Sequence, residues 1–334
     1  MKQSTALSRR GLLGVGAVGA AVVAGLAAPA GAATAPAATP RRRRGGPSVI
    51  PEANVGLQIY TMRNLLPEDV LGLEQTLEIA ADAGIAQIEL AGDYYGRTPA
   101  QVRALVESFG MRVTSNHFGP RSMIQNIWYD AGERARIFEE AHALGLPDVG
   151  TGHSYVAPLT VDGYKEMAAA FNVWGEDAVA NGFDHFFFHN HDMEFTLAGG
   201  RPLYDILLEE TDPRYVKFEL DLGWLAVAGP DPRDYLVEHA DRFPKFHVKD
   251  VVWDPEGPRT AAAGTVNGGR RFRFADVGKG DLDWSHIFSG LDDLRDHRYF
   301  IEHDDAGAAD RNPAGSPNTV WTGRKFLAEL DVRR

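Results

Sequence analysis

From about Asn54 onward the chain alternates short apolar runs with longer amphipathic stretches. The short runs predict strands at Val55–Thr61, Gln87–Ala91, Arg112–Asn116, Asp148–Thr151, His185–His189, Val216–Asp221, Lys245–Val251 and Tyr299–Glu302. Between them, helical spacing predicts helices over Glu68–Ala83, Pro99–Phe109, Ala131–Leu144, Val161–Asn181, Tyr204–Glu210, Pro232–His239, Trp284–Leu294 and Val320–Leu330. Thr98 and Thr160 suit N-caps, and Gly84, Gly110, Gly145 and Gly182 suit helix ends. Strands alternating with helices in this way, eight of each, point to a single (β/α)8 TIM barrel over residues 54–334. A doubly wound open sheet is the competing architecture, but the body carries no dinucleotide fingerprint.

A barrel gathers reactive side chains at the C-terminal ends of its strands. Glu89 ends the second predicted strand, and His117 and His153 follow the third and fourth. His189, His191 and Glu194 end or follow the fifth, Asp221 ends the sixth, His247 and Lys249 lie on the seventh, and Glu302 and Asp304 stand at the eighth. Of the 11 histidines, His117, His153, His189, His191, His247 and His303 fall at or near these ends, which a random scatter would rarely produce. Period-two alternation sharpens the pattern. On strand six Lys217, Glu219 and Asp221 share a face opposite Val216, Phe218 and Leu220; on strand seven Lys245, His247 and Lys249 share a face opposite Phe246 and Val248. The apolar sets belong against the helices, so the charged sets point into the barrel, where they must be paired or metal-bound.

Composition narrows the chemistry. The 334 residues include no cysteine, so a metal would have to be held by His and carboxylates. The formal net charge of −12 argues against nucleic acid or an anionic membrane as partner. At the N-terminus, Ser8-Arg9-Arg10-Gly11-Leu12-Leu13 followed by a Gly/Ala/Val run reads as a twin-arginine signal peptide over residues 1–32, with a flexible Pro/Ala/Arg linker over 33–53. That predicts an exported protein, periplasmic or extracellular, with no stable membrane anchoring after processing. Loss of Lys2, Arg9 and Arg10 on cleavage would leave the mature chain more acidic still. Gly14 to Gly19 spells GxGxxG, but no strand precedes it and no βαβ unit surrounds it. Arg41 to Arg44, in a Pro/Ala-rich stretch, belong to the linker.

The motifs FHNHDMEF (188–195), FELDLGWLAVAG (218–229), FHVKD (246–250) and FIEHD (300–304) resemble those of the sugar phosphate isomerase/epimerase family with the xylose isomerase-like TIM barrel. GLQIYTMR (56–63) and IELAGDYYGRTPAQVRALVESFGMRV (88–113) extend the resemblance to nearly all of residues 54–330. It implies one divalent metal at the barrel mouth, held by a Glu, an Asp, a His and a second Glu from strands five to eight. Asp221, His247 and Glu302 match that set. Where many relatives have the first Glu this chain has His189, and Glu194, five residues on, is the preferred substitute. Such ligands suit Mn, Zn, Co or Fe and leave Mg open.

With that ion bound, the expected chemistry is isomerisation or epimerisation of a keto-sugar through an enediolate, or elimination of a β-substituent as in a lyase or dehydratase. Glu302 and Glu194 are the carboxylates for proton transfer. His191 or Lys249 is the alternative acid/base, since desolvation beside a cation would lower the pKa of Lys249. Glu89, His117 and His189 are expected to bind substrate, and Trp224 to wall the sugar ring or simply to pack. His153 and His303 read as hydrogen-bonded structural residues, Asp250 as a loop-capping group, and Gly278–Asp281 as a turn near the mouth. The expected partner is a small-molecule carbohydrate, not phosphorylated given the export signal; barrels of this kind often pair, which leaves a homo-oligomer open. The competing functions are an exported sugar-binding protein without turnover and an endonuclease IV-like phosphodiesterase, the latter opposed by the acidic charge.

Overall fold

The computed structural model describes residues 49–119, 130–152, 158–255 and 271–332. The segment expected to be an export signal, most of the expected linker and His153 lie outside them. The barrel strands are β1 (Val55–Gln58), β2 (Gln87–Leu90), β3 (Arg112–Asn116), β4 (Val149–Thr151), β5 (Phe186–His189), β6 (Val216–Asp221), β7 (Lys245–Val248) and β8 (Arg298–Ile301). All neighbours pair in parallel, in the order β3-β2-β1-β8-β7-β6-β5-β4. A parallel bridge between His117 and Gly150 joins the two ends, with the Phe118 N–H donating to the Gly150 carbonyl at 3.0 Å. The result is a (β/α)8 barrel.

Its helices are α1 (Gly72–Asp82), α2 (Pro99–Ser108), α3 (Ala131–Leu144), α4 (Val161–Ala180), α5 (Leu203–Glu210), α6 (Leu222–Ala228), α7 (Pro232–His239), α8 (Trp284–Phe288) and α9 (Gly315–Glu329). Thr98 and Thr160 accept backbone N–H groups at the starts of α2 and α4, and Gly145 ends α3 with φ 74°. Several features depart from expectation. The first strand stops at Gln58, where Ile59–Met62 turns as a 3-10 helix, and the helix from Trp284 ends at Phe288. The seventh strand stops at Val248, and Asp250–Trp253 leaves the barrel to pair antiparallel with Phe272–Ala275. The turn after β6 is helical, because Asp221 caps α6 through the Trp224 N–H at 2.8 Å. A two-residue antiparallel pair, Leu197–Ala198 with Arg201–Pro202, follows β5.

Side-chain alternation explains the packing. Phe186 and Phe188 face outward, against Phe171 and Trp174 of α4 at ring separations of 5.1–5.6 Å. Phe187 and His189 point inward. Gly150 makes room for Phe187: a Cβ there would lie 2.4 Å from the phenyl ring, and one on Gly56 would lie 2.5 Å from Phe300. The two rings form a floor between a lower ionic layer and the mouth. Below them, the Lys245 ammonium sits 3.2 Å from the Phe187 ring centre, 3.0 Å from Asp148 and 2.6 Å from Ser115 Oγ. Arg298 reaches the other oxygen of Asp148 at 2.9 Å.

Burial would raise the Asp148 pKa, but Lys245 and Arg298 outweigh it and hold the carboxyl well below its usual range. A depressed folded-state pKa gives stability that is present above the unfolded value and fades as pH falls through the folded one. Asp148→Asn is therefore expected to cost about 3–5 kcal/mol at neutral pH, because it strands buried Lys245. The gap to wild type should narrow below about pH 4, the ordinary Asp pKa. Urea midpoints at pH 7 and pH 3 check this, and a gap independent of pH contradicts it.

Candidate active site

Above the Phe187–Phe300 floor, side chains on or just past seven of the strands meet on two levels. The upper level lies where β6, β7 and β8 end. Asp221 spends Oδ1 on capping α6, and its backbone is clasped by Asn190, whose Oδ1 accepts the Asp221 N–H at 3.0 Å. That leaves Asp221 Oδ2 turned toward His247 Nδ1 at 3.9 Å. Glu302, the first residue past β8, brings Oε2 to 2.6 Å from the same nitrogen. Asp221 Oδ2, His247 Nδ1 and Glu302 Oε2 are all buried, and none has a hydrogen-bond partner with acceptable geometry. The Lys249 ammonium lies 3.1 Å from Asp221 and 3.0 Å from Glu302 and donates a hydrogen bond to Asp304 at 2.9 Å.

The lower level is built from Gln58, Glu89, His117, His189 and Glu219. Glu219 Oε2 is 2.6 Å from His117 Nε2, 3.3 Å from His247 Nε2 and 3.4 Å from His189 Nδ1. Glu89 Oε1 contacts His247 Nε2 at 2.5 Å and accepts the Gln58 amide at 2.7 Å. The His117 and His247 rings stack at 5.4 Å. His247 thus touches both levels, with Nε2 below and Nδ1 above.

Electrostatics divides the histidines. Burial pushes His117 down to about 4 and His189 well below its usual value, so both are neutral near pH 7. Burial also opposes charge on His247, but Glu219, Glu302 and Glu89 outweigh it and raise its pKa well above the ordinary range. Lys249 departs from the lowered pKa expected of it. Desolvation works in that direction, yet Asp221, Asp304 and Glu302 prevail and keep it an ammonium. Glu302 is held well down by Lys249 and His247 despite its burial. Asp221 goes the other way: burial raises it to about 6, with Lys249 and His247 pulling back only in part. Four carboxylates (Glu89, Glu219, Asp221 and Glu302) share two cationic partners, and Asp221 shows the strain of the surplus.

A divalent cation would answer that surplus. Among the described residues, two donor groups each place their ligand atoms within 4.8 Å of one another: Asp221, His247 and Glu302 above, and His117, His189, Glu219 and His247 below. The converging atoms of the upper group, two carboxylate oxygens and an imidazole nitrogen, form a donor set suited to a divalent metal.

The structure brings Asp221, His247 and Glu302 together; Glu194 stands apart from them. A 3-10 turn at Met193–Phe195 buries Glu194, and its Oε2 accepts the His191 N–H at 2.7 Å. Its charge faces Tyr164 of α4, whose phenol pKa burial and Glu194 both raise. His189, a member of the lower group, also brings Nε2 to 3.9 Å from Asp221 Oδ2. Glu89 lies beneath His247, not at the mouth. The His191 ring meets His189 edge-on and lies 5.9 Å from Trp224, and Lys249 Nζ sits 5.4 Å from the Trp224 ring. His303 accepts the Asp305 N–H, and Asp250 ties down the 278–282 loop by accepting from Gly278, Gly280, Leu282 and the Trp284 indole. Among the candidate site residues, sequence reasoning missed Glu219, Asn190 and Gln58. For Glu219 the signal was present in its parity with Asp221; nothing in the local sequence marks the other two.

Comparisons agree with this architecture. The family model for the xylose isomerase-like TIM barrel matches residues 77–328. An inosose dehydratase of Clostridium perfringens is 26% identical over 273 residues, covering 77% of this chain and 89% of that protein. Among solved structures, a sugar phosphate isomerase/epimerase from Parabacteroides distasonis superposes with a TM-score of 0.64 at 21% identity, covering 84% of this chain and 95% of the other. A zinc-binding IOLI protein superposes at 0.59 with 13% identity, covering 83% and 97%. The structural likenesses speak to the fold, and the family match spans most of the chain: this protein belongs to the xylose isomerase-like TIM barrel family.

Proposed function

We propose that the protein is a metal-dependent enzyme that moves a proton beside the carbonyl of a keto-sugar or keto-cyclitol. The outcome is isomerisation, epimerisation or loss of a β-hydroxyl as water. The observation that carries this reading is the convergence of Asp221 Oδ2, His247 Nδ1 and Glu302 Oε2, all buried, at the C-terminal mouth of the barrel. Relatives named inosose dehydratase support the elimination branch, an inosose being a keto-cyclitol. His189 is the fourth donor available to the ion.

A divalent ion held there would polarise a substrate carbonyl and ease departure of the adjacent proton. The chain's own residues divide the remaining work. Glu302, kept ionised by Lys249 and His247, is the carboxylate placed to accept a proton. Lys249 offers a fixed positive charge and N–H donors for negative charge building on substrate oxygen. With Asp221, Asp304 and Glu302 around it, Lys249 is held as an ammonium and suits a donor role rather than that of the base. His191, beside Trp224 at the rim, is the residue to return a proton or deliver one to a departing hydroxyl. Phe187, between the Lys245 ammonium and the His117 ring, separates these residues from the ionic layer below. We further infer that the chain is exported through its twin-arginine pattern and acts on an unphosphorylated substrate.

Metal analysis of the purified mature protein should return near one equivalent of a divalent ion, lost in Asp221→Ala and His247→Ala while circular dichroism stays native. A folded protein that takes up no metal on reconstitution removes the basis of the reading. Lys249→Met should retain the metal and lower the rate of solvent-deuterium exchange into a keto-sugar by about 10²–10³-fold, as for loss of a donor to a developing oxyanion. An unchanged rate excludes that role for Lys249. Export is checked by fractionation: the processed chain should leave the cytoplasm, and Arg9→Lys/Arg10→Lys should retain the precursor there; equal distribution of both forms refutes it.

A further inference from the structure

The lower level of the site answers a question the upper level leaves open, namely which nitrogen of His247 would ligate a metal once the ring gives up a proton to it. Imidazole hydrogens are placed by their partners, so the answer needs a hydrogen-bond chain whose direction cannot be reversed. The structure contains one. It begins at the backbone N–H of Tyr60, which can only donate, and which donates to Gln58 Oε1 at 3.1 Å. That bond fixes the Gln58 amide and turns its NH2 toward Glu89, where Nε2 donates to Oε1 at 2.7 Å. Glu89 Oε1 is therefore the acceptor in that bond. The same oxygen meets His247 Nε2 at 2.5 Å, and as a carboxylate it accepts the imidazole N–H as well.

We propose that Glu89 is the positioning residue of the metal site: anchored through Gln58 to the Tyr60 backbone, it claims the Nε2–H of His247 and so presents Nδ1 as the ligand nitrogen to Asp221 and Glu302. The geometry of the ring agrees. Nε2 lies below, within 3.3 Å of Glu219 as well, while Nδ1 lies above, 2.6 Å from Glu302 and 3.9 Å from Asp221. All four side chains of the relay and its target (Gln58, Glu89, Glu219, His247) are buried, so water does not compete for these bonds. The pairing of β1 with β2 sets Gln58 directly opposite Glu89, which makes the relay a product of barrel register. Outer partners of this kind orient a ligating imidazole, and their loss costs about 10–100-fold in metal affinity.

This inference rests on the proposed metal site, and the test separates the two. Zinc dissociation constants are measured by competition with a chelator for wild type, Glu89→Ala, Glu89→Gln and Gln58→Leu, each checked for native circular dichroism. Glu89→Ala should weaken zinc binding about 10–100-fold. Glu89→Gln, whose side-chain oxygen can stand where the carboxylate oxygen stood, should recover most of that loss; Gln58→Leu should fall between. Long-range 1H–15N spectra of the zinc-loaded wild type with labelled histidine should show His247 protonated at Nε2 and metal-shifted at Nδ1. If wild type binds zinc and Glu89→Ala binds it equally well, or if Nε2 is the metallated nitrogen, the role of Glu89 is overturned while the metal site stands. If wild type binds no zinc, the metal site itself falls, and this inference with it.

Discussion

Everything in this barrel depends on placing charge where a barrel ordinarily places hydrocarbon. The interior of a TIM barrel is a packed core, usually filled by branched aliphatic side chains. Here the inward faces of β6 and β7 carry Glu219, Asp221, Lys245, His247 and Lys249, and burial makes each of them costly unless it is paired. The fold meets that constraint in layers. Asp148, Lys245 and Arg298 satisfy one another beneath the Phe187–Phe300 floor, whereas above it the carboxylates outnumber the cations.

The two ionic layers differ in the way a scaffold and a site should differ. The lower layer is closed: Asp148 is bonded through both oxygens, and its pKa is driven down despite complete burial. The upper layer gathers Asp221, His247 and Glu302 around Lys249, and burial raises Asp221 to about 6. Its carboxylates outnumber its cations, an excess of buried negative charge that is costly to the protein alone and favours a cation enclosed there.

His247 joins the levels. Its ring stacks on His117, one nitrogen is engaged by Glu89 and Glu219, and the other is offered to the mouth. The neutral histidines beside it, His117 and His189, owe their state to desolvation rather than to any one neighbour. One end of the barrel thus holds a charged imidazole next to two uncharged ones: desolvation prevails at His117 and His189, and the surrounding carboxylates prevail at His247.

Much of the fold and the core of the site were legible in the sequence. Period-two alternation identified the inward faces of β6 and β7 before any coordinate was known, because a strand has only two sides and one of them was wholly apolar. The barrel follows from strands and helices in strict alternation; the strand ends mark Asp221, His247 and Glu302 among other candidates, and the family resemblance singles them out. Tertiary structure alone decided the rest. Glu194 and His189 lie five residues apart and carry equally suitable donors, but a single 3-10 turn ties Glu194 back to His191 and leaves His189 facing Asp221. Asn190 clasps Asp221, and Gln58 anchors Glu89, across distances of 31 residues in each case. Such contacts are set by the register of neighbouring strands, and register arises from closure of the whole barrel, so no local stretch of sequence can announce it.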